Sequence, residues 1–267
     1  MTDIGLFGPG TVAWRLHRHP AMLVGGLRAL MIQALHPLAM AGVANHSNYR
    51  NDVWGRFNRS ADYVTVTVFG DTSQAEAAGR KVRAVHRHIH GIDAVTGRPY
   101  AADDPDLLVW VHACLVDSFI AAYRRYVAPL SRADADRYLA EMVRQAELAE
   151  TPAERVPASE LELQRYLAGM DRELLVTEAA REGLRILQHP PDPPPHWPVA
   201  IRAAIAIMPE PYRALYGVGV NPLVAAAIRP LVWAGSRVLP YLSTPPPVLV
   251  AARERSRAAN RTSTPTG

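Results

Sequence analysis

The sequence predicts an all-α protein. Apolar residues recur at three- and four-residue spacing in most segments, and capping residues stand before those segments. Only one stretch alternates as a strand would, and no second strand is in sight to pair with it. A chain of 267 residues, 49% hydrophobic and 20% charged, can bury one substantial core. Residues 7–250 read as a single bundle-like helical domain whose C-terminal part is irregular and proline-rich. Residues 251–267 read as a basic tail, expected to be solvated and disordered.

Pro20 to Leu35 carries a helical apolar line through Leu23, Leu27, Leu30, Met31 and Ala34, and Pro37 ends or kinks it. Asn45 to Asp52 is polar and turn-like. Arg56 to Phe69 is the alternating stretch. It also holds a helical line through Phe57, Ala61, Val64 and Val68, and helix is the better reading. Thr72 to His90 is a helix capped by Asp71 or Thr72 and ended by Gly91. Asp103-Asp104-Pro105 opens a helix running to about Val127, apolar nearly all round and therefore central. Ser131 caps a helix to about Glu150. Ser159 and Glu162 form a capping box for another ending near Leu187. His189 to Pro198 holds six prolines and reads as an extended connector before short helices at Val199–Ile207 and Leu223–Leu239.

The net charge of +4 is not a nucleic-acid signature. The tail supplies most of it, through Arg253, Arg255, Arg257 and Arg261 against Glu254, and no basic stripe is interleaved with aromatics. A single cysteine excludes an intramolecular disulfide. The N-terminal residues lack the features of a secretion signal, and the apolar stretch Val218–Ala234 is broken by Pro222, Arg229 and Pro230. A cytoplasmic protein is expected, with peripheral membrane contact left open.

Ten histidines are unusual. His86 lies on the apolar line Val82, Val85, His86, Ile89. A buried imidazole needs a partner for each ring nitrogen, either a backbone carbonyl in an ordinary core or a metal ion. The ordinary core is the commoner case. His90, four residues on, would share that face, but Gly91 is expected to fray the helix there. His112 sits on the central helix, where it lines a cofactor pocket, ligates a metal or bonds within the core. Cys114 is a thiolate ligand or simply a small core residue. On a helical reading Arg56, Arg59, Ser60 and Tyr63 share one face, a surface suited to carboxylates or merely to solvent.

Several segments together resemble the family of latex-clearing protein (rubber oxygenase) and the MpaB-type oxygenases. They are Phe7-Gly8-Pro9; Arg28-Ala29-Leu30 and Gln33 to Pro37; Gly55-Arg56 with Arg59-Ser60; Phe69-Gly70; Val82 to His86; and Tyr100, Asp104-Pro105 and Trp110-Val111-His112. The order and approximate spacing hold over Phe7 to Tyr126. The resemblance implies a globin-like helical core with one non-covalent haem b and His86 as proximal iron ligand. It implies that Arg56 supports the haem. It sets Arg59 and Ser60 on the distal side, in place of a lysine and a threonine, and Cys114 near a further threonine position. It implies a haem oxygenase using dioxygen on a small lipophilic, unsaturated substrate, with Arg59, Ser60 and His112 acting in catalysis and His86, Arg56, Tyr63 and Cys114 around the cofactor. Three alternatives stand beside it: a haem sensor without turnover, a non-haem metal protein using His86, His90 and His112, and a lipid-binding helical protein.

Overall fold

A computed structural model describes residues 3–242 and 245–262. The all-α expectation holds: thirteen α-helices and one two-stranded sheet occupy the described residues. Thr11 caps α1 (Val12–His17) by accepting from the Trp14 amide. Helix α2 (Met22–Gln33) is followed by α3 (Pro37–His46). Pro37 therefore starts a helix as well as ending one, because its missing N–H costs nothing in a first turn.

The alternating stretch is helical, as expected, in α4 (Val53–Phe69). Its β-branched residues differ in burial, with Thr67 and Val68 buried and Thr65 and Val66 half-buried. Helix α5 (Thr72–His86) opens with a complete capping box between Asp71 and Gln74. It stops one turn earlier than the spacing suggests. His90 lies in β1 (His90–Ile92), antiparallel to β2 (Pro99–Ala101), with Gly91 opposite Tyr100. A Cβ on Gly91 would lie 2.7 Å from the Tyr100 hydroxyl, so this hairpin requires a glycine there. His86 and His90 consequently share no helical face.

Helix α6 (Pro105–Tyr126) is the central, mostly buried helix the sequence predicts, capped by Asp104. By length and composition it could cross a membrane, but 72% of its apolar window is buried within the fold, as in a core helix. Helix α7 (Arg132–Glu147) is capped by Ser131. One helix was expected from Ser159 to Leu187; there are two, α8 (Glu160–Met170) and α9 (Glu178–Gln188). Between them the Leu175 amide donates to Leu35 O at 2.9 Å, and Thr177 caps anew. Helices α10 (Trp197–Ala206), α11 (Glu210–Tyr216), α12 (Pro222–Leu242) and α13 (Pro247–Thr262) complete the chain. The tail expectation is corrected through Thr262. Residues 247–262 are helical and pack on α4 through buried Leu249 and Ala252, with Arg255 donating to Phe69 O. An amphipathic helix with an apolar face to bury does not remain a solvated tail. The last five residues lie outside the described ones.

The core is densest where α2 lies along α6. A Cβ on Gly25 would meet Phe119 Cδ1 at 2.7 Å, which is how closely the two helices approach. Arg28, 3% exposed, crosses this seam. Its guanidinium donates to Asp117 Oδ2 and Ser118 Oγ, both at 2.7 Å, and to Ile207 O at 3.0 Å. Helix α5, in contrast, packs on α4 and, through Gly79 and Arg83, on Leu148 at the end of α7.

Candidate functional site

The α4–α5 pair meets the rest of the molecule through the two ends of α4 and through Gly79 and Arg83 of α5, which pack on Leu148. At the N-terminal end of α4 Trp54 and Phe57 make edge-to-face contacts with Trp197 of α10. At its C-terminal end Thr67 accepts from Gln145 Nε2 of α7 at 2.7 Å. Between these anchors α4 presents a polar line at helical spacing: Arg56, Ser60, Tyr63 and Thr67. Asp52 starts the helix by accepting from the Gly55 amide, and a Cβ on Gly55 would strike that carboxylate at 2.2 Å. A glycine before Arg56 is thus part of how Arg56 is positioned.

Arg56 Nη1 donates to Ser60 Oγ at 2.6 Å, and the Ser60 hydroxyl donates to Arg56 O. Among the described residues no acid pairs with Arg56. Burial, with Arg59 adding to it, pushes the guanidinium pKa below its ordinary value. It is a cation short of an anion. Tyr63, its hydroxyl 3.5 Å from Gln145 O, is pushed up to about 12 by burial, with Arg83 opposing, and stays protonated.

His86 faces the same space from the last turn of α5. Burial depresses its pKa; nearby Asp103 opposes this and nearby Arg56 reinforces it. Its imidazole is therefore neutral at neutral pH, the form in which it can donate a lone pair. Nδ1 is sealed in without a protein partner, whereas Nε2 is not sealed.

The structure thus brings Arg56 near His86, with Ser60 bound to Arg56 and Tyr63 on the same line of α4. It does not bring Arg59 to them. Arg59 lies over half exposed, donating to Asp52 Oδ2 at 3.1 Å. A residue one turn from Arg56 is rotated about 60° from it around the axis, enough to face solvent. Nor does the cluster include Cys114. That thiol is buried, held well above its ordinary pKa by burial, and its charged neighbours are Asp117 and Arg28 on the α2–α6 seam. His112 is buried, and burial pushes it down to about 4; its Nε2 has no partner. Among the described residues no three His, Cys, Asp or Glu side chains gather as a metal site, so His86, His90 and His112 do not form one.

Sequence reasoning missed Asp103 and Gln145. Asp103-Asp104 reads as a cap, but a cap needs one carboxylate. Asp104 supplies it and leaves Asp103 to the histidine. Gln145, 2% exposed, bridges α7 to α4 and keeps an unpartnered Oε1, which no local pattern announces.

Against this geometry, one family matches residues 14–237: the catalytic domain of the ER-bound oxygenase mpaB/B′ and rubber oxygenase. The chain belongs to that family. Comparisons with curated proteins and with solved structures found no match. The match spans α1 to most of α12, so the polar line of α4 and the end of α5 both lie inside an oxygenase-type catalytic domain. It also reaches far beyond Tyr126, where the sequence resemblance thins.

Proposed function

We propose that this mpaB/rubber-oxygenase family member is a haem b-dependent oxygenase that uses dioxygen on a small lipophilic substrate, with His86 as its proximal iron ligand. The carrying observation is the pairing of His86 and Arg56 from two helices at one site. The first is a neutral imidazole with one nitrogen sealed and one not. The second is a half-buried cation without an acid. These fit a haem, whose iron would take a nitrogen ligand and which carries two carboxylates.

When bound, the haem supplies the iron chemistry that activates dioxygen. The chain supplies the rest. His86 would hold the group through Nε2. Arg56 would neutralise a haem carboxylate, and Ser60 fixes the guanidinium by accepting one of its N–H groups. Tyr63, protonated at neutral pH, offers a hydroxyl donor beside the site. Arg59 is left out of this reading because Asp52 engages it, and Cys114 because it belongs to the core.

Purification after expression with haem precursor, followed by absorption spectroscopy, tests the proposal. A Soret band at one haem per chain is expected, lost in His86→Ala with helical content retained. A wild-type protein that refuses added hemin would overturn it. Oxygen uptake with unsaturated terpenoids or lipids then separates turnover from haem binding alone.

A further inference from the structure

Helix α12 carries a surface with no role in the site above. It packs on α10 and α6 through Ile228, Val232 and Ser236, which are buried. Its opposite face is exposed and apolar: Leu223, Ala227, Pro230, Leu231, Ala234 and Val238 recur at helical spacing. Leu223 is 80% exposed, Leu231 55% and Val238 52%. Scattered exposed leucines are ordinary, but a whole helical face of them is not.

The charges beside this face have one sign. Residues 222–242 include no acid, and their only charged side chains are Arg229 and Arg237. Arg237 lies over the half-exposed Trp233 ring, 4.2 Å from its centroid. Trp233, Arg229 and Arg125 border a depression of about 370 Å3 between the end of α6 and α12. Arg124, on the same rim, is engaged by Glu160. No acid pairs with Arg125, Arg229 or Arg237 among the described residues.

We infer that the outer face of α12 is a docking surface for an anionic lipid bilayer, because its exposed apolar side chains stand beside Trp233 and three arginines without acid partners. Leucine and valine enter the acyl boundary, the indole sits at headgroup level, and the arginines reach lipid phosphates. Charge complementarity favours a bilayer over a second copy of this chain. A two-fold contact through this face would bring like arginines together with no acid to answer them.

Co-sedimentation of the full chain with phosphatidylcholine vesicles, with and without phosphatidylglycerol, tests this. Binding to the phosphatidylglycerol vesicles is expected, weakened by salt, with little binding to phosphatidylcholine alone. Leu231→Glu with Val238→Glu should lower partitioning at least about tenfold, as charges replace apolar contacts. Arg229→Glu with Arg237→Glu should lower it by about fivefold or more per arginine and abolish lipid selectivity. All four positions are exposed, and circular dichroism checks the fold of each variant. Failure of the wild type to bind anionic vesicles would overturn the proposal, as would wild-type binding by both variants. A vesicle-free dimer abolished by Leu231→Glu with Val238→Glu would also overturn it and make this face a self-interface.

Discussion

The α2–α6 seam and the α4–α5 pair each hold an inward arginine, and the two are treated oppositely. Arg28 on the seam is saturated by a carboxylate, a hydroxyl and a carbonyl. Arg56 on the pair has one hydroxyl and no anion. The seam is large-residue packing, with Leu27, Met31 and Trp110 almost wholly buried. The pair is amphipathic and faces polar atoms still in want of partners, His86 Nδ1 and Gln145 Oε1. A fold can close around a saturated cation for its own stability; a half-buried cation left without an anion points to a partner from outside.

The largest expected effect falls on the seam. Trp110→Ala, which opens a cavity in the densest part of the core, should cost about 3–5 kcal/mol in a urea titration. Arg28→Ala should cost about 3 kcal/mol, since it orphans Asp117. On the pair the same kind of change should act on the ligand instead. His86→Ala should abolish haem retention in a hemin titration while leaving the urea midpoint of the haem-free protein near wild type. A large stability loss in that variant would make His86 an ordinary core residue and erase the contrast.

Arg56→Ala sharpens the comparison most. A haem carboxylate that loses its charged partner should weaken hemin affinity by about 1.5–3 kcal/mol, roughly ten- to a hundredfold. Stability of the haem-free protein should stay level or rise, because a half-buried unpaired cation is removed. Equal stability losses for Arg28→Ala and Arg56→Ala would break the comparison.

Acid should expose the core next. Unfolded histidines take up a proton near pH 6.5, but burial holds His112 to about 4 and His17 to about 3. Between those values the unfolded chain binds more protons. Stability is therefore full above pH 6.5 and falls as pH drops, approaching about 1.4 kcal/mol per pH unit for each histidine. Urea midpoints from pH 7 to pH 4 would show it, and His112→Gln should flatten the slope.

The smallest effect belongs to Arg59. Its exposed pair with Asp52 is worth at most about 1 kcal/mol, so Arg59→Ala should barely move stability or hemin affinity. Loss of haem in Arg59→Ala but not Arg56→Ala would exchange their roles.

Most of the helices, and several of their starts, are legible in the amino-acid sequence. Periodicity and caps are local, so Asp71, Asp104, Ser131 and Ser159 can be read without a fold. Ordered motifs also pointed to His86 and Arg56 and to the family. Tertiary structure decided which residues share the site. Arg59 and Cys114 have types that suit a cofactor, but a rotation of about 60° around α4 and a place on the far seam remove them. Asp103 and Gln145 enter through contacts that cross many residues of chain. The hairpin at His90, the break before Thr177 and the seating of α13 were decided the same way. Each rests on a distant partner: Tyr100, Leu35 and Phe69. Short-range pattern can specify where a helix begins, but which of its faces is filled depends on chain that arrives from elsewhere.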